Sequence, residues 1–515
     1  MNKLKCVHGI LAVDKNTQRY IKHNKKVWHA WRNKNSESVI LSDFHSLSQT
    51  NIAYSYFLNI LAKKHKAAIK TFGPPEKIPN RVLHKVYESF NTRSHIITSL
   101  DKNQKRRMKK ISSEIMPGLK TKQDVFNLRV MDIWVGVDIY ESYLKDYNKP
   151  TIYLDDPRLF KMIEKGISLV IFWEDYFSKN KIKAVIASHD CYLCFDVVCK
   201  VAYKYKVHVY FPNALYIIRV ESPHTTYSHF LNYRQMFQRL SGEEQKKAIT
   251  IAKQQLNRRL NGEIGVDMPY STKSAFHSNE NNGTILRKSE NIKVLICSHC
   301  FYDNPQGYCG ILFLDFYEWL NYLGKISERT NYDWYLKMHP DPLPGTLEII
   351  QGILARFPKI TLIPYETSFH QLVKEGLDFI LTVYGSVGGE CPLLGIPVIN
   401  AGYNPRIAYD FNWHPKSLKE YEYYLLNLDK LHKDIKEEDI YEFYYMNHYY
   451  VYDDDFIFRS YKQFLLDVTK EEIVGPRAYT YFLEQWSDDK HQEIINNMQG
   501  FIDSGKRYYF SHGPE

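Results

Sequence analysis

The chain has 515 residues, of which 44% are hydrophobic and 24% charged, and these proportions are those of an ordinary globular protein. Since 515 residues exceed what one hydrophobic core usually holds, the length predicts two domains with an extension or two. The net charge of +10 comes from 68 basic and 58 acidic residues, without a focused basic stripe or a recognisable nucleic-acid-binding module, so we predict no nucleic-acid partner.

Two features of the sequence bear on where the protein resides. No apolar run approaches the roughly eighteen residues that span a bilayer, and the first residues lack the layout of a signal peptide. We therefore expect a cytoplasmic protein. The mild positive charge would allow peripheral association with anionic lipid at the inner face of the membrane, or attraction to an anionic glycan.

The first part of the chain predicts a Rossmann-like domain over residues 37–265. Residues 1–36 before it have no clear periodicity and predict an N-terminal extension or a short helix. A strand at 39–41, a polar loop and an amphipathic helix at about 51–64 then predict the first βαβ unit. The loop at 43–46, with its Asp and His side chains, follows the end of that strand, where ligands bind in such sheets, or else leads into the helix cap.

Beyond a charged segment at 74–130 that is predicted to be helical, two carboxylates lie three residues apart. Asp138 and Glu141 would share one face of a helix at this spacing. Two carboxylates on one face raise each other's pKa, which suits one of them to accept a proton near neutral pH. Asp138 and Glu141 are therefore the leading candidates for a catalytic base.

A second candidate for the base follows the predicted strand KAVIAS. His189 and Asp190 come directly after that strand, at the end of the sheet where catalytic residues lie in α/β folds. The alternative is a turn in which Asp190 only caps the next helix. Both interpretations stay open.

The second domain is predicted over 291–430, after a linker at 266–290 that is rich in Ser, Asn and Gly. It opens with a strand that ends in Ser298 and His299. Four further apolar strands are predicted at 334–337, 360–364, 379–384 and 397–400. Their alternation with helix-length segments predicts a parallel α/β sheet, in which ligands bind beyond the carboxyl ends of the strands.

One candidate segment at those strand ends is K-M-H-P, residues 337–340. His339 leaves a strand end and Pro340 fixes the backbone after it, so the imidazole is predicted to lie at the rim of the sheet. A histidine there can donate a proton to a phosphate oxygen, and Lys337, on the same strand face, would add positive charge. The alternative is a strand-edge lysine and a histidine that caps a turn.

The other candidate segment is the turn G-S-V-G-G-E. Gly385, Gly388 and Gly389 allow the backbone to turn tightly and approach a ligand, while Ser386 offers a hydroxyl at a helix start whose amides favour anions. Glu390 follows in the first helical turn, where a carboxylate can accept hydrogen bonds from ribose. The alternative is a Glu that only favours the helix dipole. Together these residues predict a phosphate cradle.

K-x-H-P, followed along the chain by G-S-x-x-x-E and L-G-x-P-V, resembles the donor half of bacterial capsular and surface polysaccharide glycosyltransferases, including the Kdo transferases and, more distantly, the sialyltransferases. The resemblance implies the GT-B fold, in which two Rossmann-like domains face each other across a cleft. It implies that His339 and Ser386 contact the nucleotide phosphates, that Glu390 lies near the ribose, and that residues 431–515 are helical and cross back to the first domain. The segment G-x-x-I-Y-E-S-Y-L resembles another part of the family, with Glu141 where an Asp beside the acceptor cleft is expected.

The resemblance implies an enzyme that transfers a sugar from a nucleotide-activated donor, with CMP-Kdo as the favoured type, to a glycan or lipid-linked glycan acceptor, in association with capsule assembly proteins. We expect an inverting reaction without metal or other cofactor, because Lys337, His339 and the amides at 385–389 would carry the phosphate charge; the acidic run 453–455 is predicted to be a solvated loop. One alternative is a teichoic-acid-type glycerophosphate or sugar-phosphate transferase. Another is a non-catalytic protein that binds a nucleotide or sugar.

Overall fold

The structure is a computed structural model that describes residues 13–33, 36–73, 81–223, 228–267, 273–277, 283–308, 310–340, 342–452, 456–458, 464, 475–510 and 513–514. The α-helices in these ranges are α1 (Lys15–Trp28), α2 (Ser48–His65), α3 (Arg81–Ser89), α4 (Lys102–Ile115), α5 (Lys122–Phe126), α6 (Gly136–Tyr147), α7 (Pro157–Lys179), α8 (Leu193–Lys204), α9 (Tyr233–Gln238), α10 (Gly242–Leu260), α11 (Phe316–Ser327), α12 (Thr346–Leu354), α13 (Phe369–Lys374), α14 (Val387–Glu390), α15 (Leu418–Leu426), α16 (Glu437–Tyr445), α17 (Arg477–Gln485) and α18 (Asp488–Ser504). The strands are β1 (Ser38–Asp43), β2 (Ala67–Gly73), β3 (Thr92–Ile97), β4 (Arg129–Val130), β5 (Ile133–Trp134), β6 (Lys181–Ile186), β7 (His208–Pro212), β8 (Ile217–Val220), β9 (Lys293–Cys297), β10 (Asp333–Lys337), β11 (Ile360–Ile363), β12 (Phe379–Thr382), β13 (Val398–Asn400), β14 (Tyr508–Phe510) and β15 (Gly513–Pro514).

The first domain is built on a sheet that, within the described residues, has eight strands in the order β15-β14-β8-β7-β6-β1-β2-β3. The part from β7 to β3 is parallel, and Ser38 of β1 pairs with Ala67 on one side and with Lys181 on the other. β8 and β14 extend the sheet in antiparallel fashion. The order of strand addition reverses between β1 and β6, which is therefore the topological switch point of this sheet.

The second domain has a sheet of five parallel strands in the described part of the chain, ordered β11-β10-β9-β12-β13. This order matches the parallel part of the first sheet, with β9 in the place of β1 and β12 in the place of β6. Its switch point therefore lies between β9 and β12. Ligands of open α/β sheets bind in the crevice that forms beyond the strand ends at such a point.

Successive side chains of a strand point to opposite faces of the sheet, and in the central strands the side chains on both faces are apolar, so both faces are buried. Val39 and Leu41 of β1 lie in the core formed with α6, α7 and α8, whereas Ile40 lies in the core formed with α2. In the second domain, Leu295 of β9 and its neighbour Ile296 likewise belong to different cores. Helices on both faces are what a parallel sheet requires.

The predicted fold class is confirmed: the chain forms two α/β domains, each with a parallel sheet, in the two-domain arrangement of the GT-B fold. The helix predicted at 51–64 corresponds to α2, and the predicted strands of the second domain correspond to β9 to β13. The prediction of a helical 74–130 misses β3. This strand lies at the sheet edge and none of its residues is buried, so no apolar run marks it in the sequence.

Both ends of the described chain pack against the first domain. α1 lies within the segment predicted as an extension or short helix, and its Tyr20 is buried and stacks on Tyr479 of α17 with ring centroids 4.2 Å apart. α18 packs against α2, and β14 joins the first sheet beside β8. α16 packs against α10. The C-terminal region thus returns to the first domain and adds helices and the two strands β14 and β15 to it.

Part of the segment predicted as a linker, 266–290, packs against the second domain, where Phe276 and Leu286 are buried in its core. Residues 268–272 and 278–282 of that segment lie outside the described residues, as does the acidic run 453–455 that was predicted to form a solvated loop. Among the helices that the structure describes, none has both the length and the apolar character needed to cross a membrane.

Candidate active site between the two sheets

The loop that follows β9 reaches across to the first domain. Asp303 accepts hydrogen bonds from Lys145 Nζ and from the Tyr192 hydroxyl, each at 2.6 Å, and the Gln306 amide donates to Glu141 Oε1 at 3.0 Å. A cavity of about 990 Å³ lies beside this loop, and its walls contain residues at the ends of β1, β2 and β6. The switch point of the first sheet therefore opens into the space between the domains.

Asp43, Ser188 and His189 form a hydrogen-bonded chain across this switch point. Asp43 ends β1 and is 1% exposed, and its Oδ2 accepts hydrogen bonds from the Ser188 amide at 2.9 Å and the Ser188 hydroxyl at 2.5 Å. The same hydroxyl lies 2.8 Å from His189 Nδ1, while the Tyr54 hydroxyl donates to Asp43 Oδ1 at 2.7 Å. His189 is exposed on the cavity wall. One hydroxyl thus connects a buried carboxylate to an imidazole that faces the cavity.

His45, in the loop after β1, lies beside His189, with ring centroids 5.6 Å apart. Its Nδ1 accepts a hydrogen bond from the Leu47 amide at 3.2 Å, so we assign its proton to Nε2. Burial lowers the pKa of His45 to about 4. The cavity walls partly desolvate the His189 ring although solvent reaches it, and this desolvation, together with the neighbouring His45, lowers the pKa of His189 from its ordinary value of 6.5. The cavity therefore presents two imidazoles that are neutral near pH 7.

The turn that carries His189 has a strained backbone. Tyr192 has φ 64° and ψ 144°, a combination that residues other than glycine rarely adopt. Its hydroxyl donates to Asp303 of the other domain, and the Lys145 ammonium lies 5.7 Å from its ring centroid. Strain of this kind persists only where surrounding contacts impose it, and it is concentrated at active sites and ligand-binding segments.

Asp138 is buried inside the first domain. Lys200 Nζ lies 2.6 Å from Asp138 and 2.8 Å from Asp196, and all three side chains are 4% exposed or less. Burial raises the pKa of Asp138 well above its usual range, and Lys200 opposes that shift. The carboxylate that shares a cation with Asp138 is thus Asp196 of α8, where the sequence had indicated a pair with Glu141.

Glu141 is also buried, at 2% exposure. Burial raises the pKa of Glu141 to about 8, with smaller contributions from the charges of Asp190 and Asp196, so its carboxyl group is mostly protonated near pH 7. A protonated carboxyl group cannot accept a proton from a substrate hydroxyl. Asp190 lines a narrow space at the domain boundary together with Glu141 and Gln306, whereas His189 lines the large cavity next to it.

His299, which follows β9, connects the two strands at the second switch point. Its Nε2 accepts a hydrogen bond from the Val383 amide at 3.1 Å and lies 3.0 Å from the Thr382 hydroxyl, both at the end of β12. We therefore assign its proton to Nδ1. The ring stacks on Phe316 with centroids 4.6 Å apart, and burial lowers the pKa of His299 to about 3. This switch point thus holds a neutral imidazole whose Nδ1 can donate a hydrogen bond.

The K-M-H-P segment places its two candidate residues in different surroundings. His339 is exposed beyond the end of β10, and its charge contributes to the lowered pKa of His299. Lys337 is 3% exposed, and its Nζ donates to the Tyr365 backbone oxygen at 2.7 Å and lies 5.3 Å from the Phe369 ring centroid. His339 therefore lies at the rim of the sheet, whereas the ammonium of Lys337 is held in the protein interior by Tyr365.

The glycines of the G-S-V-G-G-E turn make room for side chains packed against it. A Cβ atom on Gly388 would lie 2.7 Å from Arg406 Nε, and one on Gly389 would lie 3.0 Å from Phe443. The amides of all three glycines donate hydrogen bonds within the turn or to the strand before it. The amides of Ser386 and of the residue after it are therefore the candidates in this turn for binding an anion.

Glu390 forms an ion pair with α10 of the first domain. Arg259 Nε lies 2.6 Å from Glu390 Oε1, and Arg259 Nη1 lies 2.6 Å from Asp267 Oδ1. The Glu390 side chain is 5% exposed, and burial raises its pKa, while Arg259 and, to a smaller extent, a hydrogen bond with Ser386 lower it. The predicted contact between Glu390 and a ribose stays a prediction. The structure shows in addition that this carboxylate is paired with the buried guanidinium of Arg259.

Arg406, in the loop after β13, is a buried cation that the sequence motifs do not identify. It is 3% exposed, its Nη2 lies 3.4 Å from Asn400 Oδ1, and its Nε has no hydrogen-bond partner among the described residues. Burial lowers the pKa of Arg406 to about 10. Burying a guanidinium without full compensation is unfavourable, so an anion bound at the turn beside Gly388 would be attracted to it.

Ser188, His299 and Arg406 are the residues of this site that sequence reasoning did not select. His299 has a usable signal, because it follows a predicted strand just as His189 does. Ser188 has none, because its role depends on Asp43, which is 145 residues away along the chain, and Arg406 has none, because its contact with Gly388 depends on how the loop after β13 folds back.

No family model matches the sequence, and no curated protein matches it. Among solved structures, the Thermosulfurimonas dismutans KpsC β-Kdo 2,4 transferase is 15% identical over 53% of this chain and 81% of its own, with a TM-score of 0.31. The UDP-GlcNAc 2-epimerase from Neisseria meningitidis, bound to UDP-GlcNAc, is 11% identical over 87% of this chain and 100% of its own, with a TM-score of 0.18. The wall teichoic acid polymerase TagF is 10% identical over 95% of this chain and 98% of its own, with a TM-score of 0.19.

Proposed function

We propose that this protein is a glycosyltransferase that transfers a sugar from a nucleotide-activated donor to a bacterial surface glycan. The observation that supports this most is that both sheets direct their switch points toward one cleft. Tyr384, after β12 and with its ring 4.8 Å from that of His299, donates a hydrogen bond to the Asn304 backbone oxygen at 3.1 Å, and Asn304 lines the cavity that contains His189. A donor at one switch point and an acceptor at the other would meet there.

The second domain supplies the groups that a departing nucleotide phosphate needs. Sugar transfer leaves negative charge on that phosphate, and hydrogen-bond donors placed beside it lower the barrier. His339 at the rim, the Ser386 amide and the buried charge of Arg406 fill this role, and the motif resemblance favours a CMP-activated sugar such as CMP-Kdo. Glu390 lies at the end of the same turn, where it would contact the ribose.

The first domain supplies the acceptor site. The cavity of about 990 Å³ combines the imidazoles of His45 and His189 with the aromatic rings of Phe44, Tyr192 and Phe195. Such a mixture of flat apolar rings and hydrogen-bonding groups suits a sugar, which has both apolar faces and hydroxyls. The volume is large enough for part of a glycan chain to enter.

Binding of CMP, UDP, GDP and CDP, measured by titration calorimetry on the full chain, tests the donor part of this proposal. We expect one nucleotide to bind far more tightly than the others and its sugar conjugate to release the nucleotide when surface-glycan oligosaccharides are added. The same rate is expected in EDTA, because His339, Arg406 and the turn amides carry the phosphate charge. Loss of activity in EDTA with recovery on adding magnesium or manganese would contradict the metal-independent mechanism. Binding of a nucleotide without any release would favour a non-catalytic binding protein.

A further inference from the structure

We propose that His189 is the base that activates the acceptor hydroxyl, and that Asp43 and Ser188 position it for this role. The inference rests on the proposed function, since it names the residue that moves the proton in that reaction. The sequence offers His189 as one of several candidates for the base, and its hydrogen-bonded connection to Ser188 and Asp43 is the observation that selects it.

The directions of the hydrogen bonds that join Asp43, Ser188 and His189 follow from which atoms carry protons. The Ser188 hydroxyl has a single proton, and it lies 2.5 Å from an Asp43 oxygen that also accepts the Ser188 amide. The hydroxyl therefore donates to Asp43, and its free lone pair accepts the proton of His189 Nδ1 at 2.8 Å. His189 Nε2 is then left unprotonated. Since the side chain is exposed on the cavity wall, Nε2 is available to an acceptor hydroxyl.

His189, Ser188 and Asp43, together with the leaving nucleotide, account for every proton and electron pair in the transfer step. As the acceptor oxygen attacks the anomeric carbon of the donor sugar, Nε2 of His189 takes the hydroxyl proton. The bond between the anomeric carbon and the phosphate oxygen breaks, and its electron pair leaves with the nucleotide. The imidazolium is stabilised by the carboxylate of Asp43 through Ser188, and its extra proton then passes to solvent.

The other candidate residues of the first domain, two carboxylates and one histidine, are less suited to this step. Asp138 is buried against Lys200, and Glu141 is buried and accepts the amide of Gln306. His45 has its Nδ1 occupied by the Leu47 amide, so it presents an N–H to the cavity. His45 can therefore orient an acceptor oxygen by donating to it, beside the base that deprotonates it.

Four charged or titratable groups act on His189 from the elements packed around it. Partial desolvation by the cavity walls lowers the pKa of His189 most; His45 and Lys145 lower it further, and Asp43 and Asp303 raise it. Because the base must be neutral, kcat/KM is expected to rise with pH through this lowered pKa and to level off above it. Asp43→Asn removes a group that raises the pKa, so the acid limb should move to lower pH. Lys145→Met removes a group that lowers it, so the limb should move to higher pH.

The test measures steady-state transfer and nucleotide affinity for wild-type protein and variants, with the donor selected by the nucleotide titration. His189→Ala is expected to lower kcat by ~10²–10⁴-fold with little change in nucleotide affinity. Ser188→Ala should lower kcat by a smaller factor, and Ser188→Thr, which keeps the hydroxyl, should restore most of it. His432→Ala, at an exposed histidine between α15 and α16, is the matched control and should match wild type.

Each outcome decides between the two proposals. If the wild-type protein neither binds a nucleotide nor releases one, the proposed function fails and the assignment of the base fails with it. If the wild-type protein is active and folded His189→Ala keeps a rate within twofold of it, only the assignment of the base is overturned. Should His189→Ala not fold, the pH dependence of kcat/KM in the other two variants decides. If the acid limb stays in place in both Asp43→Asn and Lys145→Met, the assignment of His189 as the base is overturned.

Discussion

Replacement of His339 by alanine is expected to lower the rate of sugar transfer by ~10²–10³-fold while the protein stays folded. His339 is exposed at the end of β10, so its removal leaves no cavity in the core, yet the departing phosphate loses a hydrogen-bond donor. The measurement is steady-state kcat with the selected donor, together with thermal unfolding to show an unchanged Tm.

Two comparisons make this result specific. His432→Ala removes another exposed histidine of the second half of the chain and should leave the rate unchanged. Nucleotide release in the absence of acceptor should also fall in His339→Ala, because the leaving phosphate takes part in hydrolysis as well. Full turnover by a folded His339→Ala protein would remove this residue from the phosphate site.

Lys200→Met is expected to destabilise the first domain by ~3–5 kcal/mol, because it leaves Asp138 and Asp196 buried without their shared cation. For a domain of this size the loss corresponds to a fall in Tm on the order of 10 °C. The Lys200 side chain is 2% exposed, so water cannot replace the ammonium without local opening. Thermal unfolding monitored by circular dichroism measures the effect.

Lys204→Met, on the same helix, is the matched control. Lys204 lies 2.8 Å from Glu174 but is 39% exposed, so water can take its place, and the Tyr205 hydroxyl still donates to Glu174; its loss should therefore cost ~1 kcal/mol or less. Adding Asp138→Asn and Asp196→Asn to Lys200→Met removes the unpaired carboxylates and should recover much of the stability. A Lys200→Met protein as stable as the Lys204→Met control would show that the buried cluster does not hold the domain together.

The elements that the sequence predicts well are those with a local apolar pattern. The strand at 39–41 and the helix at 51–64 are found within a few residues as β1 and α2, because both are buried apolar runs whose lengths separate a strand from a helix. β3 and β14 are missed for a different reason. β3 is half-polar at the sheet edge, and β14 has only three residues and pairs with β8, which is far away in sequence.

The site residues divide in the same way. The positions of His189 and His339 after strands follow from the local pattern, and the structure shows both exposed at strand ends. The environments of Lys337, Glu390 and Asp138 do not follow from it, because their partners are contributed by distant elements. Arg259, for example, is 131 residues from Glu390 along the chain. Only the order of the strands and the packing of α8 and α10 determine which charges meet.

The mass of the product formed from a nucleotide sugar and a surface-glycan oligosaccharide tests the central claim most directly. If both switch points serve one transfer reaction, mass spectrometry should show the acceptor enlarged by one sugar residue, joined by a glycosidic bond, together with one released nucleotide per transfer. An acceptor that gains a phosphodiester-linked group would instead show a glycerophosphate or sugar-phosphate transferase. An acceptor of unchanged mass, in the presence of a donor whose nucleotide the protein binds, would contradict the assignment as a glycosyltransferase.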